Sequence, residues 1–243
     1  MELEPRVSPK IIRGLVARGN AAMDSYKYTL ALLQSAEKMG ASIRSGTVAG
    51  LERDNNRITG VRLDDETISC GQIVLAMGPW SRKAEAWLDA YIPVDPLKGE
   101  ITRMELPGTP LNHDLSGGGG SLHPKPDGLV WCGTTEDWNG FDREPSEIVA
   151  KEIRKRLARV LPDLAEAKLA KHTACLRPVT PDWLPVLGRA SGWENVYLAT
   201  GAGKKGILLA PGIGRSVADL MTTGETVLSV HGYSPERFAT QMD

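Results

Sequence analysis

Several things are scarce in this chain, and each scarcity excludes something. There are three cysteines in 243 residues, Cys70, Cys132 and Cys175. They are too few and too scattered for a disulfide framework or a zinc knuckle, and a reducing cytoplasm fits that usage. No apolar run approaches the roughly 20 residues of a membrane span. The opening "MELEPRVSPK" does not read as a signal peptide. A net charge of −1 gives no electrostatic basis for binding nucleic acid or an anionic membrane. His113 and His123 have no second ligand at a telling spacing, so no metal site is expected and both read as loop or core histidines.

What remains is ordinary globular material, 41% apolar and 24% charged, long enough to bury one large core or two smaller ones. "SYKYTLALLQSAEKM" places Leu30, Leu33 and Ala36 at helical spacing before Gly40. From Ala41 to Gly78 the chain reads as successive strands turning at "DNN" and "DDE"; the last, "QIVLAMG", is apolar enough to be covered on both faces. "PWSRKAEAWL" follows as a short helix begun by Pro79. "PLKGEITRMEL" is a strand, on which Lys98 and Glu100 pair locally, and "SLHPKPDGLVWCGTT" is a hairpin turning at "PDG". Ser146 begins an amphipathic helix to Leu161, with Ile148, Ile153, Leu157 and Val160 on its apolar side. "KHTACLRPV" and "NVYLAT" are further strands, and a last helix ends near "MTTGE". Meandering strands outnumber helices, so the fold class is mixed α+β. "SGGGGS", residues 116–121, reads either as a flexible linker or as a glycine-rich loop before a strand.

"TGAGKKGILLAPGIG" spells GxGxxG at Gly201, Gly203 and Gly206. A dinucleotide fingerprint opens a βαβ unit and finds an acid at the end of the next strand. Here Pro211 stands in the helix, and Glu225 precedes "TVLSV" instead of closing a strand. A different ligand-facing glycine turn is the better reading.

Four stretches together resemble the FAD-dependent D-amino-acid oxidase (DAO) superfamily. Residues 40–81 resemble the meander of its FAD domain, "PLKGEI" its "PxRGQ" strand, and "PDGLVWCGTTEDWNGFD" its "DG-x-x-x-x-G-T-x-E" hairpin. "CLRPVTPDWLPVLG" with "NVYLATGAGKKGILLAPGIG" is close to the C-terminal signature of its glycine oxidase and D-amino-acid dehydrogenase members. The resemblance implies that the glycine turn lies over the flavin ring, with the following helix N-terminus aimed at the pyrimidine edge. Charge gathers there on reduction, and free N–H groups stabilise it. Carried over by position, Ala202, Gly203, Lys204, Lys205, Gly206, Ile207 and Leu208 would line the flavin, and Val48 would touch the adenine side.

Arg177 matches the family arginine that clamps the substrate carboxylate, where a bidentate fork fixes orientation. Lys204 stands where glycine oxidase members carry a second arginine near the substrate, although lysine cannot reproduce the fork; a solvent-facing loop lysine is the alternative. Cys175 lies where one branch of the family bonds the flavin covalently; a small buried cysteine is the alternative. The implied activity is oxidation of an amino acid or secondary amine by hydride transfer to flavin. No acid or base stands out for it, so the catalytic residue is left unknown.

The resemblance also implies an organisation. Residues 1–27 would be a first strand region of the substrate domain, 28–92 and 181–243 parts of the FAD domain, and 93–180 the substrate domain. The family's own GxGxxG unit is not in this sequence, so the fold is expected to be an N-terminally truncated remnant of an α/β FAD-binding domain plus an antiparallel substrate domain. Three readings follow: a flavoenzyme fragment, one subunit of a split flavoenzyme, or a non-catalytic interaction module. FAD is expected to bind weakly or not at all to the chain alone, and a homo-oligomer or a partner chain completing the FAD domain is expected.

Overall fold

The computed structural model describes residues 3–19 and 21–241. The chain falls into two compact units: the stretch before Ser42 with Lys98–Cys175, and Ser42–Leu97 with the stretch from Leu176 onward.

In the first unit the N-terminal segment carries no strand among its described residues. It is tied down by side chains: Arg6 Nε reaches Asp163 at 2.7 Å, Arg6 also donates to the carbonyl oxygens of Pro107 and Thr109, and Ser8 N–H donates to Val160 O at 2.9 Å. Helix α1 (Ser25–Lys38) begins at Asp24, whose carboxylate accepts from Tyr26 and Lys27 N–H. It buries no side chain at all.

A five-stranded sheet makes the body of this unit. Its strands are β5 (Asp95–Glu105), β6 (Leu115–Gly117), β7 (Gly120–Pro124), β8 (Val130–Gly133) and β9 (Lys168–Val179), in the order β6-β7-β8-β5-β9. Leu122, Cys132 and Met104 point to one face, where α3 (Glu147–Leu157) lays down Ile153 and Leu157. α3 is shorter than the sequence suggests, and Ile148 is 69% exposed: the apolar stripe narrows to one turn in two.

The glycine-rich segment differs from a flexible linker. It is the tight β6–β7 turn, with Gly118 and Gly119 at φ 59° and 82°. A Cβ on Gly120 would sit 2.9 Å from Gly133 O and 3.0 Å from Leu157 Cδ2, so glycine lets the hairpin press on α3. Leu122 lies inside the strand that starts at Gly120.

The second unit holds an antiparallel meander, β1 (Gly50–Asp54), β2 (Arg57–Arg62) and β3 (Thr67–Ser69), and a sheet of β4 (Ile73–Leu75), β10 (Val186–Arg189) and β11 (Val196–Thr200) in the order β10-β11-β4. β4 and β11 run parallel; β10 is a strand that propensity reading passed over in "PVLGR". Asn195 joins meander to sheet: Ile58 N–H donates to its Oδ1 at 2.9 Å, and its Nδ2 donates to Ile58 O and Gly71 O at 2.6 and 2.8 Å. Ile58, Leu88, Ile92, Val94, Val196 and Leu198 make the core, with Trp193 donating to Leu88 O. The short helix after Pro79 is a 3₁₀ turn (Gly78–Ala84) running into α2 (Glu85–Leu88). The chain's longest helix, α4 (Gly206–Thr222), packs Val217 on β10 and β11.

Candidate functional site

Two neighbouring parallel strands that end at the same level leave a crevice beyond their carboxyl ends, a standard ligand position in α/β sheets. β4 leads into Gly78 and β11 into Gly201. The two exits are laced together: Ser81 Oγ lies 2.6 Å from Thr200 Oγ1, and both hydroxyls reach Gly78 O, at 2.7 and 3.2 Å. All three groups are buried or half-buried, and each finds a partner.

After β11 the chain turns on Gly201 at φ +73°. A side chain there would lie 2.7 Å from Thr180 Cγ2, so only glycine allows the approach. A β-bridge pairs Ala202 with Val179, seating the turn against the end of β9. A 3₁₀ turn (Gly203–Lys205) then opens α4, whose N-cap position, Lys205, makes no side-chain capping bond. No side chain caps the first turn of α4, and the positive end of the helix dipole lies there.

Beside this turn runs a groove of about 550 Å³, lined by Val74, Gly78, Pro178, Gly201, Ala202, Gly206, Ala210, Gly214 and Met221 among others. Its walls are small and apolar, and no titratable side chain lines it. A backbone without Cβ atoms at Gly78, Gly201 and Gly206 lets a flat group come close. The donors, the glycines and the apolar walls therefore fit the electron-rich edge and face of a flavin ring.

The residues singled out by sequence fall unevenly around this groove. Ala202 and Gly206 line it, while Gly203, Lys204, Lys205, Ile207 and Leu208 do not. Leu208 is 73% exposed, and Val48 lies on the exposed stretch between α1 and β1. Arg177 is half-buried, one residue before Pro178; strand alternation sends its side chain to the face it shares with Val179. Lys204 Nζ stands 5.2 Å over the ring of Trp183. Trp183 belongs to the turn after β9, where it sits at φ 62°.

In that turn Thr180 Oγ1 donates to Asp182 and lies 2.7 Å from Leu184 O. Asp182 pairs with Arg237 at 2.7 Å. Burial pushes the Asp182 carboxyl up, and the hydrogen bonds from Arg237, Leu184 N–H and Thr180 outweigh it, so it lies below the usual carboxylate range. Cys175 is exposed, and Cys132 is the buried cysteine.

Sequence reasoning missed the Ser81–Thr200 lacing and the run of small residues along α4. The signal was present as "AMGPWS" and as the Gly206, Ala210, Gly214, Ala218 spacing of four. Among the described residues no cluster of His, Cys, Asp and Glu could hold a metal, and no helix is long and apolar enough to cross a membrane.

Glycine oxidase of Pseudomonas aeruginosa is 32% identical over 188 residues, which are 77% of this chain and 52% of that protein. D-amino acid dehydrogenase of Paramagnetospirillum magneticum is 28% identical over 240 residues, 97% of this chain and 57% of that one. Among solved structures, glycine oxidase of Geobacillus kaustophilus superimposes with a TM-score of 0.80 at 28% identity, covering 86% of this chain and 56% of that one. The chain thus spans between half and two thirds of the length of these relatives. The profile of the FAD dependent oxidoreductase (DAO) family matches residues 1–220, and the chain belongs to that family.

Proposed function

We propose that this chain supplies the flavin-facing part of an enzyme oxidising an amino acid or secondary amine. One observation carries the reading: the uncapped N-terminus of α4 opens beside Gly78 and Gly201 at the carboxyl ends of two parallel strands. The turn 202–208 would hold the isoalloxazine edge through backbone N–H groups, with Val48 toward the adenine. FAD would supply the two-electron acceptor. Arg177 would grip the substrate carboxylate bidentately and so fix the Cα–H direction, with Lys204 adding positive charge nearby. The apolar walls would shield the reacting atoms from water once flavin and substrate fill the groove. The absence of a titratable side chain in the groove lining suits a mechanism in which the chain orients the substrate and removes no carbon-bound proton.

A second reading concerns completeness and is favoured by two features. β4 stands at the edge of its sheet, and the apolar groove runs alongside α4. Both suit a strand–helix unit added in parallel to β4, carried by a partner chain or by more of the same protein. That unit would supply the pyrophosphate and ribose contacts. Without it, binding of FAD must offset on the order of 4–15 kcal/mol of lost translational and rotational freedom with a few helix-end contacts of about 0.3–1 kcal/mol each.

The experiment is a titration with FAD followed by flavin fluorescence, then amine oxidation with glycine, sarcosine and both enantiomers of alanine and proline. The expected result is weak binding by the chain alone. Binding tightens on adding such a strand–helix unit, and Arg177→Lys then raises KM for carboxylate-bearing substrates by at least about tenfold. Absence of flavin binding under every arrangement would leave a non-catalytic interaction module as the function.

A further inference from the structure

Away from the groove, the face of the five-stranded sheet opposite α3 carries a row of side chains across four neighbouring strands. His123 on β7 pairs in register with Trp131 on β8, which pairs with Arg103 on β5. Asp114 precedes Leu115, the register partner of Leu122, and so stands opposite His123 at the start of β6. The alternate residues, Leu122, Cys132 and Met104, face α3, which leaves this row on the other side.

The row is assembled tightly. Arg103 Cζ lies 4.2 Å from the Trp131 ring centroid, and Lys125 Nζ lies 5.0 Å from the same ring while donating to Met23 O at 3.1 Å. His123 Nε2 lies 3.0 Å from Ser121 Oγ. Its Nδ1 is 3.1 Å from Asp114 Oδ1, a close contact but out of line for a hydrogen bond.

Two nitrogens of this row, Arg103 Nε and Trp131 Nε1, are buried and lack a hydrogen-bond partner, while His123 Nδ1, buried as well, faces the Asp114 carboxylate. The Arg103 side chain has no ion pair and no hydrogen bond at Nε among the described residues. Glu105, two positions along β5, is instead paired with Lys168 at 3.4 Å. Buried donors without acceptors are rare in folded proteins because desolvating them is costly, and adjacent ones mark a place where an acceptor belongs. Arginine and indole offer donors only, and the one carboxylate of the row, Asp114, already faces His123, so the acceptor for these two donors comes from elsewhere.

We infer that the Arg103–Trp131 pair binds the carboxylate of a small organic acid. A carboxylate matches the guanidinium fork in one plane and has lone pairs to spare for the indole N–H. Lys125 adds positive charge over Trp131, whereas Asp114 at the far end disfavours a second negative charge and so selects a singly charged anion over phosphate. The inference rests on unit-one residues alone and stands whether or not the flavin reading holds.

The test is an NMR titration of the indole N–H resonances of the ¹⁵N-labelled chain, with Trp131 assigned by Trp131→Phe. The probe is acetate, with chloride at matched ionic strength as the control. The Trp131 resonance should shift saturably with acetate and not with chloride, and Arg103→Gln should weaken the midpoint at least about tenfold. Arg103→Lys, which keeps the charge and loses the fork, should fall between them. It also serves if Arg103→Gln loses the dispersed indole spectrum of a folded chain. No saturable shift, an equal response to chloride, or an unchanged midpoint in both arginine variants would overturn the inference.

Discussion

At the scale of single residues, the buried charges of the first unit are the most exposed to test. Lys98 and Glu100 are 3% and 1% exposed. Lys98 Nζ contacts Asp142 at 2.6 Å, Glu144 O at 2.5 Å and Glu100 at 3.2 Å. Glu100 also lies 2.9 Å from His172 Nε2 and accepts from Ser146 N–H. The local pair expected from sequence is there, but His172, Asp142 and Ser146 come from distant parts of the chain that no spacing rule connects.

Removing one member leaves the others buried without a counter-charge. Lys98→Met should therefore lower unfolding free energy by about 3–5 kcal/mol, and Lys98→Met/Glu100→Leu should recover part of it, as read by urea denaturation. The hydrogen bond from Lys98, helped by Glu144 N–H, holds the Asp142 carboxyl below its ordinary value. The bond to Asp142 holds the Lys98 ammonium above its own, against burial. The depressed acid contributes stability above the ordinary carboxylate range and loses it as pH falls through the depressed value. The raised base contributes below the ordinary lysine value and loses it as pH rises through the raised one. The clamp is thus constant between about pH 5 and 9, and Asp142→Asn should remove part of the acid-side loss of the urea midpoint. The cysteines give a second check. Burial pushes the Cys132 thiol up to about 12, while Cys175 is exposed. Iodoacetamide at pH 8 should label Cys175 in the folded chain and Cys132 only after denaturation, read by peptide mass.

At the scale of elements, α1 is the outlier. Its cap and its Leu30, Leu33, Ala36 spacing made it legible in the sequence, yet it buries nothing, and Leu32 and Leu33 are 50% and 44% exposed. A helix of this length is marginal in water without packing. Its amides should exchange with solvent faster than those of α3, which seats Ile153 and Leu157 at 0% exposure, and Asp24→Ala should cost about 1 kcal/mol of local helix stability by the same measurement.

Elements with a local signature were readable in this way: the "DNN" and "PDG" turns, the apolar "IVLAMG" strand, the α3 start at Ser146. The β6–β7 turn was not, because its glycines are dictated by Leu157 and Gly133, which approach from elsewhere. Nor was β10, a four-residue strand broken by Gly188 at φ 132°, although its partner β11 follows after a loop of six residues. The candidate site divides along the same line. The glycine turn was visible as a motif, while the groove depends on α4 lying against two strands that are far apart in sequence.

At the scale of the whole molecule, the groove and the β4 edge are the surfaces on which the proposed strand–helix unit would dock. Gly214 lines the groove, and a Cβ there meets nothing within 4 Å. Gly214→Lys should leave the fold intact, or raise its midpoint slightly through helix propensity worth up to about 1 kcal/mol. The same substitution should abolish any flavin binding restored by the complementing unit. If the chain instead associates through this face, sedimentation velocity should show concentration-dependent mass in the parent and a smaller species in the variant. Large apolar side chains left exposed, such as Leu15 at 97% and Val227 at 88%, favour association of some kind.

The parallel pairing of β4 with β11 also sets a timetable. Val196 closes the sheet on Ile73, about 120 residues later in the chain, so at roughly 5–20 residues per second a ribosome needs several seconds between making the first strand and making its partner. Throughout that interval the β6–β9 sheet and α3 can already assemble from contiguous chain, while β4 waits with both edges bare. A nascent chain of this protein is therefore most open to mispairing and chaperone capture during the one stretch of synthesis that lies between Leu75 and Val196.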